Sequence, residues 1–332
     1  MKNADKWYAI DALGESFDRT RKLLFEPFDI GFWAKLALIA FIAGMASNGN
    51  SQFNFDGSGG GFQNMPDPAI IITLAVMIIA FVIALMYLSS VASFAFIQSL
   101  SEGKVEVIRY FKDNKWLGLR LFVLQVAMIS TIILLTILFI TGLVFKGFGN
   151  MGGADVIAII IMVLVIFAMI FAFMLFMLWV NDLVVPIMYA RNCGVIEGFS
   201  QSISIARAEA MQFLVYILAR VGLGFMVAII TLFISIPFMI IMFFFAISGV
   251  ILQALSTPLA LAFMIVVIMV TVMVSYIITL ITLPLSVYVR CYNLFFLQHT
   301  RGGLKFFGSK GAGNAAATAE KLINNEDEIK VY

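Results

Sequence analysis

Residues 221–247 read VGLGFMVAIITLFISIPFMIIMFFFAI, an apolar run without one charged side chain. At a rise of about 1.5 Å per residue, about 20 such residues cross the hydrocarbon core of a bilayer. Four other stretches do the same: Ala69 to Phe96, Leu121 to Phe145, Val156 to Val180, and Leu259 to Val289. A sixth, Phe32 to Ala46, is shorter and contains Lys35, whose ammonium must snorkel toward the headgroups. Gly44-Met45-Ala46 resembles a signal-peptide cleavage site. The long, largely polar stretch before the run exceeds a normal n-region, so the spanning reading is preferred.

The whole composition agrees with these runs. Of 332 residues, 62% are hydrophobic and 12% charged, whereas soluble domains carry about a quarter charged residues. That excludes a soluble globular fold, a disordered chain, collagen and a disulfide-rich secreted scaffold. A net charge of +2 offers no basic domain for nucleic acid. Two cysteines, Cys193 and Cys291, are too few for a disulfide framework, and the single histidine, His299, belongs to no metal-ligand cluster.

The placement of charge predicts the topology. The N-terminal flank, Ser99 to Arg120, Arg191 to Arg220 and the tail from Arg290, together with Lys35 at the start of the sixth run, hold 20 of the 21 Lys and Arg residues. The opposite loops, Ser47 to Pro68, Lys146 to Asp155 and Ser248 to Pro258, hold only Lys146. Positive flanks stay in the cytoplasm, so six transmembrane helices with both termini inside are expected, in a plasma or inner membrane. If Phe32 to Ala46 did not span, the basic N-terminus would lie outside.

The pattern also reads as one unit used three times, over about 11–98, 104–193 and 195–300, in a single membrane domain of residues 1–301. Each unit is expected to hold a cytoplasmic amphipathic helix followed by two spans. The apolar stripes predicted for those helices are Leu13, Phe17, Leu24 and Phe28; Val105, Ile108 and Phe111; and Phe199, Ile203, Ala206, Ala210 and Phe213. The returning spans of the second and third units end alike: Pro186, Tyr189, Arg191 and Cys193 match Pro284, Tyr288, Arg290 and Cys291 with one-residue offsets. Gly222, Gly224 and Gly44 are predicted points of close helix contact. The loop Ser47 to Pro68 is rich in Gly, Ser and Asn and predicts a flexible connection. Residues 302–332 are expected to be mostly disordered, with a short helix over Ala315 to Ile323.

Asp182, beside Asn181 near the end of the fourth span, is the candidate site residue, because a carboxylate at that depth must be paired, wet or protonated. Arg120, Arg220 and Arg290 occupy comparable depths on their own spans and are its expected partners. The cluster reads either as structural pairing or as a polar pocket for an ion or lipid phosphate. Pro186, Pro237 and Pro284 are candidate helix kinks. Enzyme signatures are absent. Gly198 to Ser202 lacks the last glycine of a nucleophile elbow, no phosphate-binding loop occurs, and no catalytic, cofactor-binding or metal residue is assigned.

Val185-Pro186-Ile187-Met188-Tyr189-Ala190-Arg191, followed by Gly194, Glu197-Gly198-Phe199 and Ser202, resembles a pattern in a poorly characterised group of prokaryotic polytopic proteins. That group includes the membrane domain attached to some glycerophosphoryl diester phosphodiesterases. The resemblance covers Leu183 to Gly224 and implies a membrane-embedded, non-catalytic module. With no phosphodiesterase domain present, that chemistry does not carry over. The expected function is therefore a non-enzymatic multi-pass protein that contacts membrane lipids or organises a membrane-protein partner, itself or another, without cofactor or nucleic acid. The alternative is a transporter or channel for a small solute or ion with a polar site near Asp182.

Overall fold

The computed structural model describes residues 7–47, 68–146, 153–255, 257–300 and 304–307. The predicted Ser47 to Pro68 connection lies almost wholly outside the described residues, and the predicted helix Ala315 to Ile323 lies entirely outside them. The described elements are α1 (Tyr8–Leu24), α2 (Ile30–Ser47), α3 (Pro68–Glu102), α4 (Val107–Asp113), α5 (Lys115–Lys146), α6 (Gly153–Trp179), α7 (Val185–Arg191), α8 (Val195–Ala208), α9 (Ala210–Leu255) and α10 (Thr257–His299). A π-helical turn, Val180–Val184, joins α6 to α7. No strand occurs among the described residues. This follows from the solvent, since lipid offers no partner for backbone N–H and C=O groups and a helix satisfies them within itself.

Five helices are long and apolar enough to cross a membrane, over Val76–Glu102, Lys115–Leu138, Ile159–Arg191, Ala210–Gly249 and Ala262–His299. They coincide with the five charge-free stretches. Ile30–Met45 is apolar and helical but shorter. The chain divides into two compact units, one made of residues up to Ala37, Phe96–Glu106 and everything from Ile203, the other of Leu38–Ala95 and Val107–Ser202.

In the first unit α9 and α10 form an antiparallel hairpin. The Tyr216 hydroxyl donates to Asn293 Oδ1 at 3.1 Å, and Tyr216 stacks on Phe296 at 4.1 Å and on Tyr292 at 5.5 Å. Farther along, the Thr271 hydroxyl meets Met242 Sδ at 3.6 Å and Phe245 stacks on Phe263 at 6.0 Å. Pro237 and Pro284 both lie inside unbroken helix. Of the predicted contact glycines, Gly222 has open space where a side chain would sit, and Gly224 meets only the Arg220 guanidinium of its own helix. They are therefore not close-packing points, and neither is Gly44 in the second unit, which also faces open space.

The helix α1 packs along α10, and here the sequence expectation needs correcting. The buried residues are Ala9, Ala12, Ser16, Thr20 and Leu24, whereas Phe17 and Phe28 are 62% and 59% exposed. Small side chains make the seam because they let two helix backbones approach closely. The hydroxyls of Ser16 and Thr20 donate to the carbonyls of Ala12 and Ser16, so the seam leaves no hydroxyl unsatisfied. The large aromatics that dominate the sequence pattern sit on the outer edge, with Phe17 meeting Tyr288 edge-on at 6.4 Å. Tyr8 stacks on Phe296 at 5.9 Å and its hydroxyl donates to Glu209. The Tyr288 hydroxyl donates to Leu13 O at 3.4 Å. Packing reaches past α10: Leu304 and Phe306 are buried, and Phe307 stacks on Phe295 at 4.4 Å beneath the Arg19 guanidinium.

In the second unit α3 contacts α2 and α5 through a run of small polar residues. Ser89 donates to Ala43 O and Ser90 to Gln125 Oε1, both at 2.8 Å. A Cβ added at Gly118 of α5 would sit 2.8 Å from Val91 Cα of α3, a separation no side chain can hold. Gly118, unmarked by the sequence reading, is thus the tight crossing. The two remaining predicted stripes are also corrected. In α4, Ile108 is 74% exposed while Tyr110 is buried; Val105 precedes the helix. In α8 the fully buried positions are Gly198 and Ser202, while Phe199, Ile203 and Ala206 of the predicted stripe are half-buried; the helix ends at Ala208, so Ala210, exposed, and Phe213, buried, belong to α9. Each correction has the same physical origin: small side chains let helix backbones approach closely, so size and hydrophobicity alone do not mark the contact face.

Candidate functional site

The candidate carboxylate lies in the irregular turn of the second unit. Pro186 has no N–H, and its ring collides with the carbonyl four residues earlier, which is that of Asp182. At Val180–Val184 the helix departs from α geometry, although Pro237 and Pro284 are carried within unbroken helix. The chain inserts a π-helical turn, in which the Val185 N–H reaches back to Val180 O. The residue flagged as a kink and the residue flagged as a site are two ends of one backbone event.

Every side chain of the turn is buried, with Asn181 and Asp182 each 5% exposed. Both residues have partners, as expected of a carboxylate held away from water. The helix α8 covers α7 and the turn. A Cβ on Gly198 would stand 3.0 Å from Met188 Cγ and 3.1 Å from Val184 Cγ1. The Trp179 indole N–H donates to Ser202 Oγ at 3.1 Å, and Phe176 packs on Phe199 at 5.8 Å. Gly198 and Ser202 thus serve close packing over the turn, which accounts for part of the 185–202 pattern without any chemistry.

Arg120 belongs to this same unit and is exposed on α5. Its charge is felt at Cys193, just beyond α7. Arg220 and Arg290 belong to the first unit, half-buried and both engaged with partners. They stand at matching positions of the hairpin, Arg220 four residues beyond Tyr216 and Arg290 three before Asn293. The five residues thus resolve into Asn181, Asp182 and Arg120 in one unit and the arginine pair in the other. Among the described residues no group of three or more His, Cys, Asp or Glu side chains is placed to hold a metal ion. The reading of the sequence missed the aromatic cluster of Tyr8, Phe213, Tyr216, Tyr292 and Phe296. Its signal was the repeated Tyr and Phe at helical spacing in Tyr216 and in Tyr292 with Phe296, close to the ends of two adjacent spans.

The match to known families covers residues 7–307. The chain belongs to DUF7544, a family of unknown function. No curated protein and no solved structure matches it. The family match carries no link to the phosphodiesterase-attached membrane domains that residues 185–202 resemble. Its end at 307 coincides with the last packed aromatic among the described residues of this DUF7544 protein, Phe307.

Cys193 is a titratable group just beyond the turn and outside the spans. Burial, with the Glu197 carboxylate adding to it, pushes the thiol above its ordinary value, and Arg191 and Arg120 offset this only in part. Alkylation needs the thiolate. In a Cys291→Ala background, Cys193 is therefore expected to react slowly with iodoacetamide at neutral pH and to accelerate only above the usual thiol range. Glu197→Gln lowers the pKa and should speed the reaction at a fixed pH. Full reactivity of Cys193 at neutral pH would contradict this account.

Proposed function

We propose that this DUF7544 protein is a non-enzymatic, six-span protein of the cell membrane whose α1 helix lies at the cytoplasmic lipid interface. The observation that carries the reading is the outer edge of α1 and of the link to α2. Phe17, Phe25, Phe28 and Ile30 are all exposed there, too many large apolar groups for a surface meeting only water. Phe25 and Phe28 flank Trp33 at 5.6 and 5.5 Å, and the Trp33 indole donates to Leu24 O at 2.7 Å. An interfacial tryptophan held in this way is a membrane anchor. Arg21 and Lys22 in the last turn of α1 are exposed beside the aromatics, where headgroup phosphates would meet them. With α2 as the sixth crossing, Lys35 snorkels from its first turns and both termini share the positive side. The transport alternative gains no support of its own from the π-helical turn, whose side chains are all buried.

The experiment places a single tryptophan at Phe17 (F17W) after Trp7, Trp33, Trp116 and Trp179 have been replaced by Phe. In vesicles containing phosphatidylcholine brominated near the headgroup end of its chains, the fluorescence of this lone indole is expected to be strongly quenched, and aqueous iodide should quench it weakly. The reverse pattern would show α1 facing water and would sink the proposal.

A further inference from the structure

The α9–α10 hairpin has a length that the function proposed above does not use. Its contacts advance from Tyr216 to Phe245 along α9 while receding equally from Asn293 to Phe263 along α10. The helices therefore stay side by side, in one antiparallel register, nearly from end to end. In that register Arg220 stands opposite Arg290, and no charged residue or histidine occurs anywhere between those two positions in the chain. From the arginine pair to the end of α9 at Leu255 the rod measures about 50 Å at the α-helical rise. An ordinary bilayer has a hydrocarbon core of about 30 Å, and about 40–45 Å with its headgroups. The rod's charge-free length exceeds even the second figure.

Its sides are mostly apolar, with the hydroxyls of Ser235, Ser248 and Thr271 donating back to their own helices. Phe225, Phe233 and Phe243 on α9 are 70%, 69% and 64% exposed, and Met269 and Met273 on α10 also point outward. The arginine end has what an interface needs: two guanidinium groups with Tyr216 and Tyr292 beside them. The far end, Ser248 to Pro258, has no Lys, Arg, Trp or Tyr. Such a tip suits an apolar or weakly polar surrounding. Fitting the rod into an ordinary core would require a tilt of about 50–55°, beyond the 0–40° observed for membrane helices. In addition, α3 has no charged residue from Pro68 to Ser101, so the excess length is not peculiar to the hairpin.

We propose that the apolar surface of this hairpin is matched to a bilayer of long-chain lipids, with a hydrocarbon core well thicker than the ordinary one. The partner is thus lipid of a defined length class, and the match acts through the mismatch cost of each ångström of apolar helix left outside the core. The inference rests on α9, α10 and α3 and is independent of where α1 lies; α2, 18 residues and about 27 Å long, crosses so thick a core only where the bilayer thins around it.

The test reconstitutes the full chain into phosphatidylcholine vesicles with monounsaturated chains, in a series of about 14 to 24 carbons. Thermal unfolding is followed by circular dichroism and helix tilt by polarised infrared absorption. The unfolding midpoint is expected to rise along the series, peak at about 22–24 carbons, and coincide there with the smallest tilt. A peak at about 16–18 carbons, or a flat profile with steep tilt throughout, would overturn the proposal. A flat profile with a stable dimer would assign the apolar length to a second copy, and would also overturn it. A shortened variant lacking Phe244–Val250 and Ala260–Val266 removes two turns from each arm in register. Its optimum should shift to shorter chains by several carbons, and an unshifted optimum counts against the idea. If the shortened variant does not fold, the profile of the intact chain decides alone.

Discussion

Gly118→Val should yield almost no folded protein, read as loss of the monodisperse peak in detergent size-exclusion chromatography. At this position α5 crosses α3 so closely that even a Cβ would be 2.8 Å from Val91 Cα. The obstacle is backbone, which cannot swing aside as a side-chain tip can. Valine adds two further carbons on the same side, so the helices must separate. Separation breaks what the crossing holds in place: the Ser90 to Gln125 hydrogen bond and the edge-on contact of Tyr87 with Phe122 at 5.9 Å. Overpacking in a filled interior costs about 1–3 kcal/mol, occasionally more, and loss of a buried hydrogen bond leaves donor and acceptor unsatisfied for about 1–3 kcal/mol more. Together these approach the whole stability of a typical domain, about 5–15 kcal/mol. Gly222→Val serves as the control, because open space lies where its side chain would be. If Gly118→Val and Gly222→Val gave equal yields of folded protein, the crossing would not be as close as described.

Phe296→Ala is expected to have the second-largest effect, and one confined to the first unit. Phe296 is fully buried and lies against three rings: Tyr216 at 4.1 Å, Tyr8 at 5.9 Å and Phe213 at 6.3 Å. Truncating such a phenylalanine costs about 3–5 kcal/mol, through lost burial and the cavity left behind. The cavity opens where α1 meets α10, so α1 should loosen first. Trypsin reports this directly, since Arg21 and Lys22 lie on its exposed face. Cleavage after these residues is expected to accelerate at least tenfold in Phe296→Ala, while Phe296→Leu, which keeps most of the volume, should change it little. Unchanged cleavage in the alanine variant would mean that α1 is held by its seam of small residues and not by the aromatic cluster.

These two positions also show what sequence reading misses. Phe296 lies past Arg290, beyond the predicted span, and its burial shows only once α1 and α9 are placed against it. Gly118 carries no sign of its role: glycine at a crossing and glycine in open space, as at Gly222, read the same until the neighbouring helix is placed. The stripes predicted for α1, α4 and α8 held only in part, with Leu24 and Phe213 buried but Phe17, Phe28 and Ile108 exposed, for a related reason. Hydrophobic periodicity locates the buried face of a helix whose other side meets water. In α1 the seam is Ala9, Ala12, Ser16 and Thr20, whose hydrophobicity is low and whose virtue is small size. Asp182 was legible in part. Its depth was legible from the charge-free run before it, and the clash of Pro186 with its carbonyl follows from covalent geometry alone. The π-helical turn that resolves the clash, and the burial of its side chains, required coordinates.

The amino-acid sequence by itself determined that this is a helical membrane protein with five long apolar segments. Charge and apolarity act on each segment separately, and a backbone in lipid has no choice but helix. Which faces touch, which glycine is a crossing, where α1 docks and how far α9 and α10 run together were decided only by the tertiary structure. Those features depend on the distance between backbones far apart in the chain, and lipid is as good a neighbour for leucine or phenylalanine as another helix. Hydrophobicity therefore brings the chain into the membrane and leaves the arrangement there to fit.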